Sequence, residues 1–170
     1  MNYQFLANTR LFRGISVDEL EKMLTCFSVQ TRQYEKGSLI LRAGQTVSAI
    51  GLVLSGNITI ENNDLWGNRT VMDRLGAGAI FAESYALTPE EILMVDIVAN
   101  EPTEVLFLQT RAILNPCQKS CYSHRALLGN LLAISSQKNL HMSRHILHTS
   151  PKTIRGRFLS YLSFFAQKEG

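Results

Sequence analysis

Apolar residues along this chain turn to a lasting helical period from about Asn115, and the parts before and after it predict different structures. Ser16-Val-Asp-Glu19 places a hydroxyl three residues ahead of a carboxylate, the reciprocal arrangement that caps a helix start. Leu20, Met23 and Leu24 follow on one face, so a helix is predicted over about Val17 to Cys26. From there the apolar residues come in short runs: Ser28–Tyr34, Ser38–Arg42, Ala49–Leu54, Asn57–Glu61, Arg69–Leu75, Ala79–Ala82, Ile92–Val98 and Glu104–Leu108. Gly37, Gly44, Gly56, Gly67, Gly76 and Gly78 separate or end these runs, where turns call for positive φ. The loop Asn62-Asn-Asp-Leu-Trp-Gly-Asn68 joins two of them as a hairpin. Strands this short and evenly spaced predict an antiparallel sandwich, roll or small barrel, giving a mainly β fold with added helices.

Beyond that module the pattern is helical. Asn115-Pro116 reads as an N-cap followed by proline at the first helical position. With no further proline before Pro151, a helix is predicted over about Pro116 to His148. At 1.5 Å per residue it is about 50 Å long, several times the length of an ordinary globular helix. Its apolar residues form two adjoining stripes, Leu127, Leu131, Ile134 and Leu128, Leu132, Met142, Ile146. A stripe that broad on so long a helix predicts packing on its own module and, through Leu128, Leu132, Met142 and Ile146, on a second copy as a homodimer. Ser150-Pro151 repeats the cap-and-proline signal and is the expected hinge to a last helix. That helix carries Ile154, Phe158, Leu159, Leu162 and Phe165, an apolar face whose packing partners are expected in a domain cut after its first element.

Charge divides the chain at nearly the same place. The net charge of +3 is the sum of −5 over residues 1–108 and +8 over residues 109–170, which also hold all four histidines. An acidic module joined to a basic helical tail predicts one half that senses and one that faces a polyanion. No apolar run is long enough to span a bilayer, and the N-terminus lacks the pattern of a secretion signal. Three cysteines, Cys26, Cys117 and Cys121, are too few for a disulfide framework, so a cytoplasmic location is expected.

The segment from Leu75 to Leu108 carries the candidate chemistry. It runs through a Gly-rich turn, Phe81, Ala82, Glu83, a short helical stretch, and two strands. Between Arg74 and Arg111 it holds no Lys or Arg, against six acids: Glu83, Glu90, Glu91, Asp96, Glu101 and Glu104. Around it lie Leu11-Phe-Arg-Gly-Ile-Ser-Val-Asp-Glu-Leu20, the glycine series Tyr34-Glu-Lys-Gly37, Arg42-Ala-Gly44 and Leu54-Ser-Gly56, and Thr153-Ile-Arg-Gly-Arg-Phe-Leu-Ser-Tyr-Leu162. In this order the pieces resemble the sensory and dimerisation part of a CRP/FNR-family bacterial transcription regulator.

The resemblance implies a β-roll or jelly-roll sensor over residues 1–115, a dimerisation helix over 116–149, and over 150–170 the first helix of a winged helix-turn-helix. DNA would then be contacted only through the remainder of that last domain. In the family cassette a Gly-Glu pair is followed about ten residues on by Arg-Ser/Thr-Ala, the Glu taking the ribose and the Arg the cyclic phosphate. Here Glu83 matches the Glu, Ala82 stands for the Gly, and Leu93, Met94 and Val95 stand for the Arg and its followers. A desolvated phosphate without a charged partner costs several kcal/mol, so cyclic AMP is not the expected ligand. Ala82, Glu83, Ser84, Leu93 and Met94 remain the candidate residues for an unknown small-molecule effector.

Other chemistries have less to work with. Cys117, Cys121 and His124 share a helix face at i, i+4 and i+7 and are candidate thiol or metal ligands. The simpler account is that the thiols pack against the β-module. His141, His145 and His148 are solvated positions on a basic helix. The first histidine, His124, falls after the strands, which removes the ligand set of a β-roll metalloenzyme. No phosphate-binding Gly-Lys-Ser/Thr loop or nucleophile elbow occurs among them. The expectation is a dimeric sensor and not an enzyme, with a ligandless dimeric interaction module as the alternative.

Overall fold

The computed structural model describes the chain except for Ser28, Leu65, residues 116–121 and Gly170, and for the side chains of residues 165 and 167–169. In chain order the elements are α1 (Tyr3–Ala7), α2 (Val17–Cys26), β1 (Gln30–Tyr34), β2 (Leu39–Leu41), β3 (Ala49–Ser55), β4 (Asn57–Asn63), β5 (Arg69–Gly76), β6 (Ile80–Phe81), α3 (Glu83–Leu87), β7 (Asp96–Ala99), β8 (Thr103–Gln109), α4 (Thr110–Leu114), α5 (Tyr122–Thr149) and α6 (Ile154–Glu169). They form two compact units, Met1–Leu131 and Leu132–Gly170, with α5 beginning in the first and continuing into the second.

The first unit is a roll of two four-stranded antiparallel sheets, ordered β1-β8-β3-β6 and β2-β7-β4-β5. Its interior is apolar: Ile40, Val53, Ile58, Phe81, Ala82, Ile97, Ala99, Val105 and Phe107 form one buried cluster, with Tyr34, Leu41 and Leu75 packed against it. Large apolar side chains buried this fully contribute about 1.5–3 kcal/mol each. Glycines set the corners: Gly37, Gly44, Gly56, Gly67 and Gly78 have positive φ, whereas Gly76 is the last residue of β5 with ordinary φ. At Gly56 an added Cβ would lie 2.6 Å from the Pro102 carbonyl oxygen, so the β3–β4 turn needs glycine for space as well as for φ. The β4–β5 hairpin is tied at its tip by Asp64, whose carboxylate accepts from the Trp66 and Asn68 amides at 2.9 and 2.8 Å.

The capping box at α2 is present in full, Ser16 accepting from the Glu19 amide and Glu19 from that of Ser16. Helix α1 is capped by Asn2, whose Oδ1 accepts from the Phe5 amide at 3.0 Å, and α4 has no side-chain cap. Asn115 is the C-cap of α4, donating its N–H to the Arg111 carbonyl, and Pro116, the expected first residue of the long helix, lies outside the described residues. That helix is described from Tyr122 onward. Ser150 and Pro151 do not open the last helix. The Ser150 N–H donates to Ile146 O and so closes α5, and the Thr153 hydroxyl accepts from the Gly156 amide at 3.0 Å, so α6 starts at Ile154. A hydroxyl satisfies the orphan amides of a helix start only from the residue beside it, and that residue is Thr153.

The start of α5 is anchored within the first unit. Leu127 and Leu131 are buried, and the Asn130 side-chain amide donates to the carbonyls of Leu11 and Arg13 at 3.0 and 2.8 Å. Both hydrogens of one amide are thereby spent on the turn between α1 and α2.

Candidate effector site

The site begins where β6 runs beside β3. Phe81 pairs with Gly51, and the missing side chain of Gly51 leaves room for the Phe81 ring, which meets Phe107 edge to face at 6.3 Å between centroids. The chain then turns sharply. Ala82 takes the left-handed conformation, φ 60° and ψ 9°, and its carbonyl accepts the Ala86 N–H that closes α3. A residue with a Cβ costs about 1–2 kcal/mol in that conformation, so Ala82 holds a glycine-like turn under strain. Glu83 opens α3 and is only 3% exposed. Ser84 is exposed.

After α3 the chain returns to the roll by a different contact from the one its pattern predicts. Strand β7 begins at Asp96, not at Ile92, because the backbone of Leu93 is already engaged. Its N–H donates to Gln45 O at 2.9 Å and its carbonyl accepts from the Gly44 N–H at 2.8 Å, while Ile92 forms a single bridge to Thr46. The loop between β2 and β3 thus straps this segment down. Leu93 is 1% exposed, Val95 is buried and Met94 is 71% exposed. Of the five candidate effector residues, Ala82, Glu83 and Leu93 are buried, whereas Ser84 and Met94 face solvent.

Electrostatically, the neighbourhood of this segment is one of satisfied carboxylates. Asp96 accepts from the Ala43 amide at 2.8 Å and from the Asn63 amide at 3.1 Å. Glu61, 5% exposed, is ion-paired with Arg69 at 2.5 Å. The nearest basic residue in sequence before the segment, Arg74, lies in exposed β5. A side chain able to meet a buried phosphate is therefore absent from the stretch that would supply it.

The remaining candidates fall elsewhere. Cys117 and Cys121 lie outside the described residues. His124 is buried, its ring edge-on to Phe27 at 5.6 Å and its Nε2 2.5 Å from the Ile113 carbonyl oxygen. Such a nitrogen joins α5 to α4 and has a partner already. Among the described residues no group of three His, Cys, Asp or Glu could hold a metal ion. In the second unit, His148 packs against Tyr161 and Phe164, with Nδ1 2.9 Å from the Ser160 hydroxyl. Of the stripe residues, Leu128 is half-buried, and Leu132, Met142 and Ile146 are 69%, 60% and 60% exposed.

An eight-stranded antiparallel roll with a strand–turn–short-helix cassette and a long helix after it defines a class, and the comparisons agree with it. A family model described as a cyclic nucleotide-binding domain matches residues 31–120, more than half of the chain. The chain belongs to that family. It is 34% identical over 98 residues to the cyclic AMP receptor protein of Thermus thermophilus, a match covering 58% of this chain and 44% of that protein. The chain thus spans less than half the length of that curated relative. Among solved structures it is similar to the Thermus thermophilus catabolite activator protein, 25% identical with a TM-score of 0.68 over 81% of this chain and 62% of that one. It also shares its fold with the sensor domain of the transcriptional regulator DNR from Pseudomonas aeruginosa, 20% identical with a TM-score of 0.61 over 89% and 93% of the two chains. These relatives are regulators by name, and among the described residues no helix is long and apolar enough to cross a membrane.

Proposed function

We propose that this chain is the effector-sensing and dimerisation portion of a CRP/FNR-type transcription regulator, and that its sensor does not take a cyclic nucleotide. The observation that carries the second half is Leu93, buried and strapped by two backbone hydrogen bonds at the position where the cassette would present its phosphate-binding cation. Burying an anion beside an apolar side chain costs several kcal/mol with nothing to offset it. Residues 1–115 would form the sensor, 116–149 the dimer helix, and 150–170 the entry to a DNA-binding domain. The exposed apolar residues Leu132, Met142 and Ile146 support the dimer, since large apolar side chains left exposed together on one helix call for a partner.

In this reading an effector held near Ala82 and Glu83 shifts the relative stability of two arrangements of the paired helices, and so changes how the DNA-binding domains are aimed. The relatives' names supply transcription regulation and, by extension, a cytoplasmic setting. Titration calorimetry with cyclic AMP and cyclic GMP tests the nucleotide half, with no heat of binding expected. A dissociation constant in the low micromolar range, a binding free energy of about −8 kcal/mol, overturns it. Native mass spectrometry of the purified dimer identifies a tightly held effector directly.

A further inference from the structure

A second place in the roll has the chemistry of a binding site. Residues of β1, β2, β3, β8 and the loop before β3 line an open surface cleft of about 220 Å3, in which Gln30, Arg32, Gln45, Thr46 and Ser48 are exposed. Ala82, Glu83 and Leu93 do not line it. Arg32 is its one charged lining residue, and no carboxylate lines it. The Arg32 guanidinium lies 5.7 Å over the Phe107 ring and donates from Nη2 to Gln30 Oε1 at 3.1 Å. On the opposite strand the Ser48 hydroxyl donates to Gln109 Oε1 at 3.3 Å.

These two bonds decide the polarity of the cleft. An amide side chain has one oxygen acceptor and two N–H donors. With each oxygen already accepting one bond, Gln30 and Gln109 add their Nε2 donors, and Arg32 keeps further N–H donors of its own, which have no hydrogen bond to a described residue. The cleft is donor-rich and positively charged, while Ile40, Leu41, Val47 and Ala49 supply an apolar floor. Its complement is a small molecule with an acceptor-only anionic end and a short apolar body. The volume is below the roughly 300–1,000 Å3 of sites for drug-sized ligands, which fits a ligand of few heavy atoms.

We propose that this cleft binds a small organic carboxylate, with Arg32 gripping the carboxylate, Gln30 and Gln109 donating to it, and Leu41 and Val47 covering its body. Arg is the side chain whose planar fork matches a carboxylate in two hydrogen bonds. The site is separate from the cassette, so it stands or falls independently of the nucleotide reading.

The test is an amide chemical-shift titration of the 15N-labelled 170-residue chain with pyruvate, butyrate and benzoate, and with inorganic phosphate alongside. At least one carboxylate should give saturable shifts at Arg32, Thr46 and Gln109 with a dissociation constant of about 1 mM or tighter. Arg32→Gln should weaken it by about tenfold or more, the loss expected for one charged hydrogen-bonding partner, and Arg32→Lys by less. Gln109→Leu gives a second, uncharged readout, and the thermal melt of each variant shows that the roll is intact. The proposal is overturned if no carboxylate saturates below about 10 mM, if Arg32→Gln binds as the parent does, or if phosphate binds as well as every carboxylate.

Discussion

Gly51→Ala puts the packing beneath the cassette to a direct test. Gly51 lies in β3 opposite Phe81, and a Cβ built there falls 2.1 Å from Phe81 Cζ and 2.5 Å from both Cε atoms. Ordinary van der Waals contact begins at 3.4 Å, so the whole ring must move. It has little room, because Phe81 is fully buried and meets Phe107 edge to face. Overpacking a filled core costs about 1–3 kcal/mol, and a rigid ring hemmed in this way belongs at the upper end. Alanine in a strand recovers about 0.5–1 kcal/mol of glycine's backbone entropy cost. The net loss is then about 2 kcal/mol, or about 4–8 °C in melting temperature for a chain of this size. Thermal unfolding followed by circular dichroism reads it. Phe81→Leu in the same background supplies the control: the alanine methyl then occupies space the ring has left, so the double variant should be less destabilised than the two single losses together by about 1 kcal/mol. A melting temperature unchanged by Gly51→Ala, or strictly additive single variants, would refute the account of how β6 and the cassette turn are held.

Two further predictions follow. Leu132→Glu combined with Ile146→Glu should convert a dimer into monomers by light scattering, because it places charge in the exposed stripe of α5; a parent chain already monomeric at tens of micromolar, an order chosen around weak association, removes the dimer reading. The Ser16 hydroxyl and N–H hold the Glu19 carboxyl below its ordinary value of 4.5, so the stability it contributes is present above that value and lost as pH falls through the lowered one. Glu19→Gln should flatten the fall in melting temperature between neutral and acid pH, and an unaltered pH profile counts against the capping box as its cause.

The sequence alone determined what depends on neighbours within a few residues, and on what is missing. The α2 cap is set by Ser16 and Glu19, three apart, and the strands and their glycine corners by local alternation. The lack of any cation from Leu75 to Thr110 is visible without a fold. One cap was misplaced where two hydroxyl residues compete: Thr153, not Ser150, starts α6, a choice made by backbone geometry that Ser-Pro does not reveal.

The tertiary structure decided what depends on residues far apart in the chain. Leu93 is buried because Gly44 and Gln45, some fifty residues earlier, take its backbone hydrogen bonds before β7 can start. Gly51 accommodates Phe81 only because β3 and β6 are paired. The Arg32 cleft draws its donors from β1 and β8, where Gln30 pairs with Phe107 across the sheet. Periodicity reports which face of a strand is apolar, but strand order and register decide which side chains share a cleft, and those are fixed by packing over the whole roll.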